Sequence, residues 1–153
     1  MLKLLGEYDC KVDAKGRFLF PAGLKKQLGD AVDLGFVINA DMHEDCLVVY
    51  PQPVWDDVSS QVMKLNRFVK KNAMFIRRFT NGATVVNFDA SSRIQLPKAL
   101  SERIAMSKDI KVVGSGDRVE IWSKDKFELM INEPCDLSGL SEEVMGDFSF
   151  GDE

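Results

Sequence analysis

The sequence predicts a mixed α+β protein, mainly β with short helices, that is built from two tandem copies of one unit. Residues 8–28 match residues 84–104 without a gap, at a constant offset of 76. Identical residues in the two copies include Asp13 and Asp89, Arg17 and Arg93, Pro21 and Pro97, and Leu24 and Leu100. Both copies also contain short runs of alternating apolar and polar residues between turn residues, which is the pattern of half-buried strands.

A second pair of matching blocks lies farther along each copy. Residues 47–50 with Trp55 match residues 119–122 with Phe127 at an offset of 72. The offset changes from 76 to 72, so the two copies differ in length by four residues between the two blocks, and we expect this difference to lie in a loop. Two ordered blocks in each half favour duplication over chance agreement.

Each unit is predicted to run strand, turn, strand, short helix, strand, strand and helix. In the first copy, residues 8–13 alternate and residues 17–20 resume the pattern after an Ala-Lys-Gly turn. Pro21 ends that strand and begins a helix over residues 22–28, because a proline in the first helical turn forfeits no hydrogen bond. Gly29 ends the helix.

Two hairpins and a connecting helical region complete the predicted elements. Residues 36–39 pair with 46–50, and residues 110–113 pair with 118–122 around a Gly-Ser-Gly-Asp turn. Residues 54–78 carry apolar side chains three and four apart, which predicts one or two amphipathic helices whose apolar face covers the sheet. These apolar residues are Trp55, Val58, Val62, Leu65, Phe68 and Val69.

The patterns divide the chain into four parts. Residues 1–63 form the first unit, 64–78 a connecting basic helix, and 79–133 the second unit. Residues 134–153 form an acidic, glycine-containing tail. We expect this tail to be disordered, because it offers little apolar surface to offset the entropy lost on ordering.

The net charge of −4 is unevenly distributed along the chain. Residues 1–28 carry six basic and three acidic side chains, and residues 64–78 carry six basic side chains and no acidic one. Because the acids are concentrated elsewhere, one face can still be positive and attract a polyanion. The basic segment 64–78 is either a second surface that follows phosphates or a solvated helix face, and the second interpretation is favoured.

Several classes of protein are disfavoured by composition. No apolar run is long enough to span a membrane, and the N-terminus lacks the features of a signal peptide, so a soluble, cytoplasmic protein is expected. The three cysteines, Cys10, Cys46 and Cys135, are too widely spaced for a zinc site and are expected to be ordinary thiols. His43 is the single histidine, so no catalytic set is predicted. We expect no enzymatic activity, cofactor, metal or small-molecule substrate.

The sharpest local motif is Asp-x-x-x-Arg, present as residues 13–17 and 89–93, each at a tight connection between two strands. An aspartate at the start of a turn accepts backbone N–H bonds and can hold the arginine four residues later. A structural clamp is therefore the simplest role for Asp13.

The cationic residues of the first motif suggest a contact with nucleic acid. Gly16 lets the backbone approach a phosphate, while Lys15 and the planar fork of Arg17 can reach phosphate oxygens or a guanine edge. The second motif has Ser91 and Ser92 in place of the lysine and glycine, so it is expected to be the weaker contact or an architectural one.

The combination of an N-terminal Gly-Glu-Tyr, the run Val-Asp-Ala-Lys-Gly-Arg with Pro-Ala, and the later Asp-x-x-x-Arg with Leu-Pro resembles the MraZ family over roughly residues 1–133. The resemblance implies the AbrB-like swapped-hairpin fold, with the two units interleaved in one pseudo-symmetric, β-barrel-like domain. It also implies a closed, octamer-like ring of subunits that binds tandem repeats of double-stranded promoter DNA.

Carried onto this sequence, the resemblance assigns DNA contact to Lys15, Arg17 and Arg93, with Asp13, Gly16 and Asp89 as structural residues of the motif. It implies a nucleoid-associated, autoregulatory repressor of the division and cell-wall gene cluster. The alternative is an interaction protein, such as an antitoxin that uses its acidic tail to bind a toxin. Antitoxins usually carry one copy of the unit, so the two fused copies favour the regulator.

Overall fold

The structure is a computed structural model that describes residues 1–146 of the chain. Its strands are β1 (Glu7–Lys11), β2 (Arg17–Leu19), β3 (Phe36–Ala40), β4 (Cys46–Pro51), β5 (Thr84–Val86), β6 (Arg93–Gln95), β7 (Asp109–Ser115) and β8 (Arg118–Ser123). Its helices are α1 (Ala22–Leu28), α2 (Gln52–Met63), α3 (Lys70–Thr80), α4 (Lys98–Arg103), α5 (Lys124–Ile131) and α6 (Leu137–Met145). A 3₁₀ segment, Gly29–Leu34, follows α1.

The strands form one six-stranded antiparallel sheet and one two-stranded ribbon. The sheet order is β1-β7-β8-β4-β3-β5, and β2 pairs with β6 in the ribbon. The predicted fold class, α+β with short helices and two tandem units, is confirmed. The sheet is open, with β1 and β5 at its edges, so "barrel-like" describes it only loosely.

Most strand pairs join one copy to the other. The two predicted hairpins are present as β3–β4 and β7–β8. However, β1 pairs with β7, β2 with β6, β4 with β8, and β3 with β5. Each Asp-x-x-x-Arg turn is a tight connection between two strands, as predicted, but the two strands that it connects do not pair with each other as a hairpin. Strands β1 and β2 lie in different sheets, because each buries its apolar side chains by pairing with the opposite copy.

The pairing has a pseudo-two-fold axis. Phe18 and Ile94 are equivalent residues at the offset of 76, and they lie opposite each other in the ribbon. Val48 and Glu120 are equivalent at the offset of 72, and they lie opposite each other in the centre of the sheet. The axis therefore passes through both pairs.

The main core lies between the sheet and a covering layer that consists of the ribbon, α1 and α4. Side chains alternate along each strand, so Leu47 and Val49 of β4 face this core while Cys46 belongs to a cluster on the other face. The core residues of the covering layer are Phe18, Phe20, Leu24, Leu28, Ile94, Leu96, Leu100 and Ile104.

The other face of the sheet, here called the far face, is covered by α2, α3 and α5. The ring of Trp55 on α2 stacks on Phe79 of α3 at 5.8 Å and contacts Tyr50. The predicted amphipathic region is thus two helices. Its apolar stripe only partly covers the sheet, because Phe68 lies in the loop between the helices and is fully exposed.

Part of the acidic tail is helical in the structure. Residues 137–145 form α6. Asp136 caps its N-terminus, and its side chain accepts a hydrogen bond from the backbone N–H of Gly139. Its apolar residues Leu137 and Val144 are largely exposed. Disorder of the tail stays a prediction, and residues 147–153 of the tail lie outside the described residues.

Replacement of Phe18 by alanine should lower the free energy of unfolding by about 3–5 kcal/mol, because a fully buried aromatic ring on the pseudo-axis leaves a cavity shared by both copies. Urea unfolding followed by circular dichroism measures this change. Leu19→Ala is the control, since Leu19 is 61% exposed on the same strand. It should shift stability by no more than about 0.5 kcal/mol, and equal losses in the two variants would contradict the assignment of the core.

Candidate nucleic-acid interface

The first Asp-x-x-x-Arg turn is closed by its own aspartate. The backbone N–H of Asp13 donates to the Arg17 carbonyl at 2.8 Å, and that of Gly16 donates to the Asp13 carbonyl at 3.0 Å. Oδ1 of Asp13 accepts the N–H groups of Lys15 and Arg17, each at 2.9 Å, while Oδ2 accepts Arg17 Nε at 3.0 Å. The carboxylate therefore fixes both the turn and the arginine side chain.

The second turn repeats this geometry despite its different sequence. Oδ1 of Asp89 accepts the N–H groups of Ser91 and Arg93 at 2.8 and 2.9 Å, and Oδ2 accepts Arg93 Nε at 2.9 Å. Gly16 and Ser92 occupy equivalent positions, and both have a positive φ, 82° and 61°. Left-handed backbone suits glycine but carries a cost for serine.

Both arginines project from the outer side of the β2–β6 ribbon. Phe18 and Ile94 are buried beneath it, and side chains alternate along a strand, so Arg17 and Arg93 lie on the side away from the core. Because Nε holds the aspartate, the two terminal amino groups of each guanidinium can bind a ligand. Within residues 1–146 these groups make no hydrogen bond to the protein. Phosphate oxygens and guanine O6 and N7 are acceptors that suit this fork.

Each turn is held in place by the opposite copy. The N–H of Leu96 donates to the Gly16 carbonyl at 2.8 Å, and the equivalent N–H of Phe20 donates to the Ser92 carbonyl at 3.0 Å. Gln95 Nε2 also donates to the Lys15 carbonyl at 2.7 Å. A side chain at Gly16 would collide with this amide, since an added Cβ would lie 2.9 Å from Nε2. Gly16 thus permits the close approach of Gln95.

The hydrogen bonds lower the pKa of both aspartates. For Asp13 the largest cause is the backbone N–H of Arg17, followed by that of Lys15 and then by the Arg17 side chain. The pKa of Asp89 is lowered in the same way by Arg93 and Ser91. Both carboxylates are therefore ionised at neutral pH, and each holds its arginine as an ion pair.

Further lysines surround the turns. Lys15, Lys98 and Lys108 line a groove beside the first turn, and Lys11 and Lys25 line a groove beside the second. Lys11 and Lys98 are partly neutralised by Asp109 and Glu102, at 4.0 and 3.9 Å, whereas the other three lysines have no salt bridge within residues 1–146. The outer side of the ribbon, with these lysines beside it, is here called the turn face.

The basic segment 64–78 lies elsewhere. Asn39 lies on the far face, since its neighbour Ile38 points into the core, and its amide donates to the Phe79 carbonyl of α3 at 2.7 Å. Helix α3 therefore packs on the far face, and Arg78, near its C-terminal end, reaches a groove shared with Arg103 of α4. The solvated helix face stays a prediction.

Two residues near the turns, Gln95 and Lys25, were not among those predicted from the sequence. Both belong to the copy opposite the turn that they contact, so no local motif contains them. The repeat offers the only sequence signal, because Gln95 is equivalent to Leu19 and Lys25 to Ser101. Where equivalent residues of the two copies differ in polarity, as at these two positions, the two turns are contacted by different side chains.

Other kinds of site find little support in residues 1–146. No helix there is long and apolar enough to cross a bilayer. No group of three or more His, Cys, Asp or Glu side chains there could hold a metal ion. Cys10, Cys46 and Cys135 are free thiols, and burial raises the pKa of Cys46 well above its ordinary value.

Comparison with protein families gives two matches to one family. The family described as "MraZ protein, putative antitoxin-like" matches residues 4–78 and again residues 79–143. The first match includes the connecting segment, and the second includes most of α6.

Individual relatives match over nearly the whole chain. A transcriptional regulator MraZ from Flavobacterium psychrophilum is 44% identical over 147 residues, covering 95% of this chain and 94% of the relative. A protein of the same name from Christiangramia forsetii is 43% identical, covering 98% and 97%. One from Cytophaga hutchinsonii is 40% identical, covering 92% and 93%.

Carboxyl NMR titration should show Asp13 and Asp89 both titrating below the ordinary value of 3.8. A lowered pKa means that the turn stabilises the fold fully above that value, and that this stabilisation is lost as the pH falls through the folded-state pKa. In Arg17→Ala the pKa of Asp13 should rise part of the way, because the backbone donors remain. Asp89 is the internal control and should not move, and a joint shift would contradict two independent clamps.

Proposed function

We propose that this chain, which belongs to the MraZ family, regulates transcription by binding double-stranded DNA through its two Asp-x-x-x-Arg turns. Its relatives are transcriptional regulators, and the chain is accordingly a transcriptional regulator and not an enzyme. DNA binding at the turns is our extension of that assignment. We place the protein in the cytoplasm, at the nucleoid.

The observation that carries the proposal is the pair of aspartate-held arginines on the turn face. Both Asp–Arg contacts are near 3 Å, and both arginines keep two amino groups for a ligand. Preformed donors lose little side-chain entropy on binding, so such a pair suits recognition of a groove and its phosphates. Within this scheme Lys15, Arg17 and Arg93 contact DNA, while Asp13, Gly16 and Asp89 shape the turns.

The target that we propose follows the family resemblance. Tandem repeats in the promoter of the protein's own operon, in the division and cell-wall gene cluster, would be bound by several subunits at once, which would repress that operon. A ring presenting the same turns repeatedly gains avidity for spaced repeats without any new contact.

The proposed octamer-like ring is supported by exposed apolar residues away from the turn face. A ring needs a head-to-tail contact between two different patches. One group lies around the loop between α2 and α3, with Phe68 fully exposed, and another lies on α5 and α6. Exposed clusters of this kind mark contacts with other protein surfaces.

DNA binding can be tested with a labelled duplex from upstream of the protein's own gene and a scrambled duplex, at two salt concentrations. The wild type should bind the first selectively and lose affinity steeply as salt rises. Arg17→Ala should weaken binding about 5- to 150-fold, equivalent to about 1–3 kcal/mol for one arginine–guanine contact. Arg78→Ala removes the same charge from the exposed surface of α3 and should have little effect.

Equal losses in Arg17→Ala and Arg78→Ala would refute the turn face as the interface. Absence of selective binding by the intact oligomer would refute the regulator mechanism. It would favour the second candidate function, an antitoxin-like role in which the exposed apolar face of α6 binds a partner protein.

Assembly can be tested by native mass spectrometry of the wild type, Phe68→Asp and Phe68→Leu. The wild type should give a mass near eight times that of the 17.2 kDa chain. Phe68→Asp should dissociate the ring of subunits. It should not alter thermal unfolding of one subunit, because the Phe68 side chain is fully exposed in the single chain. Phe68→Leu keeps an apolar side chain and should retain the ring. An intact ring in Phe68→Asp would exclude this loop from the interface.

A further inference from the structure

We propose that the second turn holds a phosphate-binding site that is completed by Lys25 of the first unit, together with the hydroxyl groups of Ser91 and Ser92. The inference rests on the proposed DNA-binding function and deepens it. The second turn was expected to be the weaker DNA contact. With Lys25 beside it, each of the two turns supplies an arginine and a lysine to the DNA backbone.

The central observation is the position of Lys25. Its Nζ atom donates to Ser92 Oγ at 2.6 Å, although the two residues are 67 positions apart. Ser92 immediately precedes Arg93, the arginine of the second motif. The ammonium group therefore lies beside the second turn. The sequence of that turn has Ser91 at the position equivalent to Lys15.

Comparison of the two copies shows that Lys15 and Lys25 have corresponding positions at the two turns, one within a turn and one in the opposing helix. The first turn contains Lys15 and Gly16, and the residue equivalent to Lys25 in the helix opposite is Ser101. The second turn contains Ser91 and Ser92, and the helix opposite supplies Lys25. At these two equivalent positions serine and lysine have exchanged places between the turn and the opposing helix, so this pair of positions supplies one lysine to each turn.

Interleaving of the copies positions this lysine. The Phe20 N–H donates to the Ser92 carbonyl, and Pro21 follows directly and leads into α1. The N–H of Lys25 donates to the Pro21 carbonyl, so Lys25 lies one helical turn beyond that anchor. The main-chain bond between the units therefore sets the distance from Lys25 to the second turn.

The charge of Lys25 is not neutralised by the groups around it. Its ammonium lies over the Phe88 ring, 5.1 Å from the ring centre, and this ring carries no charge. Within residues 1–146, no carboxylate lies within 4 Å of it. Asp89 is bound to Arg93, and Asp9, the acid that lines the same groove, is paired with Lys111 at 2.9 Å.

The serine that holds Lys25 is kept in an unfavourable backbone conformation. Ser92 has a φ of 61°, at the position where the first copy has Gly16. Glycine would relieve this strain but would remove the hydroxyl that binds the lysine. The groove beside it, about 810 Å³ in volume, is open to solvent and also contains Lys11 and Ser91. A phosphodiester at its mouth would find an ammonium and two hydroxyl donors.

The test measures duplex affinity as a function of salt for the wild type, Lys25→Gln and Lys26→Gln. Lys26 is the matched control, since it is the next residue of α1 and is exposed. Lys25→Gln should weaken binding roughly five- to tenfold near 0.1 M salt, equally for specific and scrambled duplexes. It should reduce the slope of log affinity against log salt by about 1. Lys26→Gln should leave both quantities unchanged, and Lys15→Gln should behave like Lys25→Gln.

Ser92→Gly separates binding from folding. Its melting temperature should stay the same or rise, because glycine accepts the positive φ, while duplex affinity should fall severalfold as Lys25 loses its partner. Unchanged affinity in Ser92→Gly, or equal slopes for Lys25→Gln and Lys26→Gln, would overturn the inference while the proposed function stands. Failure of the wild type to bind duplex DNA would overturn both.

Discussion

The antiparallel pairing of β2 with β6, centred on Phe18 opposite Ile94, is the contact on which the other features depend. The two residues are equivalent in the repeat, so their pairing places the axis that relates the copies. Beneath them the sheet carries the same axis at Val48 and Glu120. Neither copy can bury its apolar strands alone, because each of β1, β2 and β5 pairs only with a strand of the other copy. The two units therefore form one core.

The turns show how local and distant interactions divide the construction of the site. Asp13 closes its own turn and holds Arg17 with bonds that span four residues or fewer. The direction in which Arg17 points comes from the ribbon, since Phe18 is drawn into the core and its neighbours must face outward. Because each aspartate holds its arginine on a ribbon whose other side is buried, both guanidinium groups are oriented in advance on the turn face.

Pseudo-symmetry permits the two turns to differ in sequence without differing in shape. Gln95 braces the first turn and Lys25 contacts the second, and both side chains come from the opposite copy. Their equivalents, Leu19 and Ser101, cannot make these contacts. Each turn is therefore contacted by a side chain of the other unit that has no match at the equivalent position. Duplication followed by interleaving allows such compensation, because every turn has two sources of side chains.

The sequence by itself determined the features that arise from local periodicity and local hydrogen bonding. The hairpins β3–β4 and β7–β8 and the helix that ends at Gly29 follow from residues close together in the chain. The repeat and the family resemblance follow from comparing such local motifs with one another and with a known pattern. Alternation indicates which side of a strand is buried, but it does not name the strand's partner. Only the tertiary structure decided that β1 and β2 pair with different strands of the second copy, that Phe68 is left exposed, and that Lys25 lies beside Ser92. These outcomes depend on which edges and surfaces remain uncovered once the whole chain has packed, and this has no signature in any single segment.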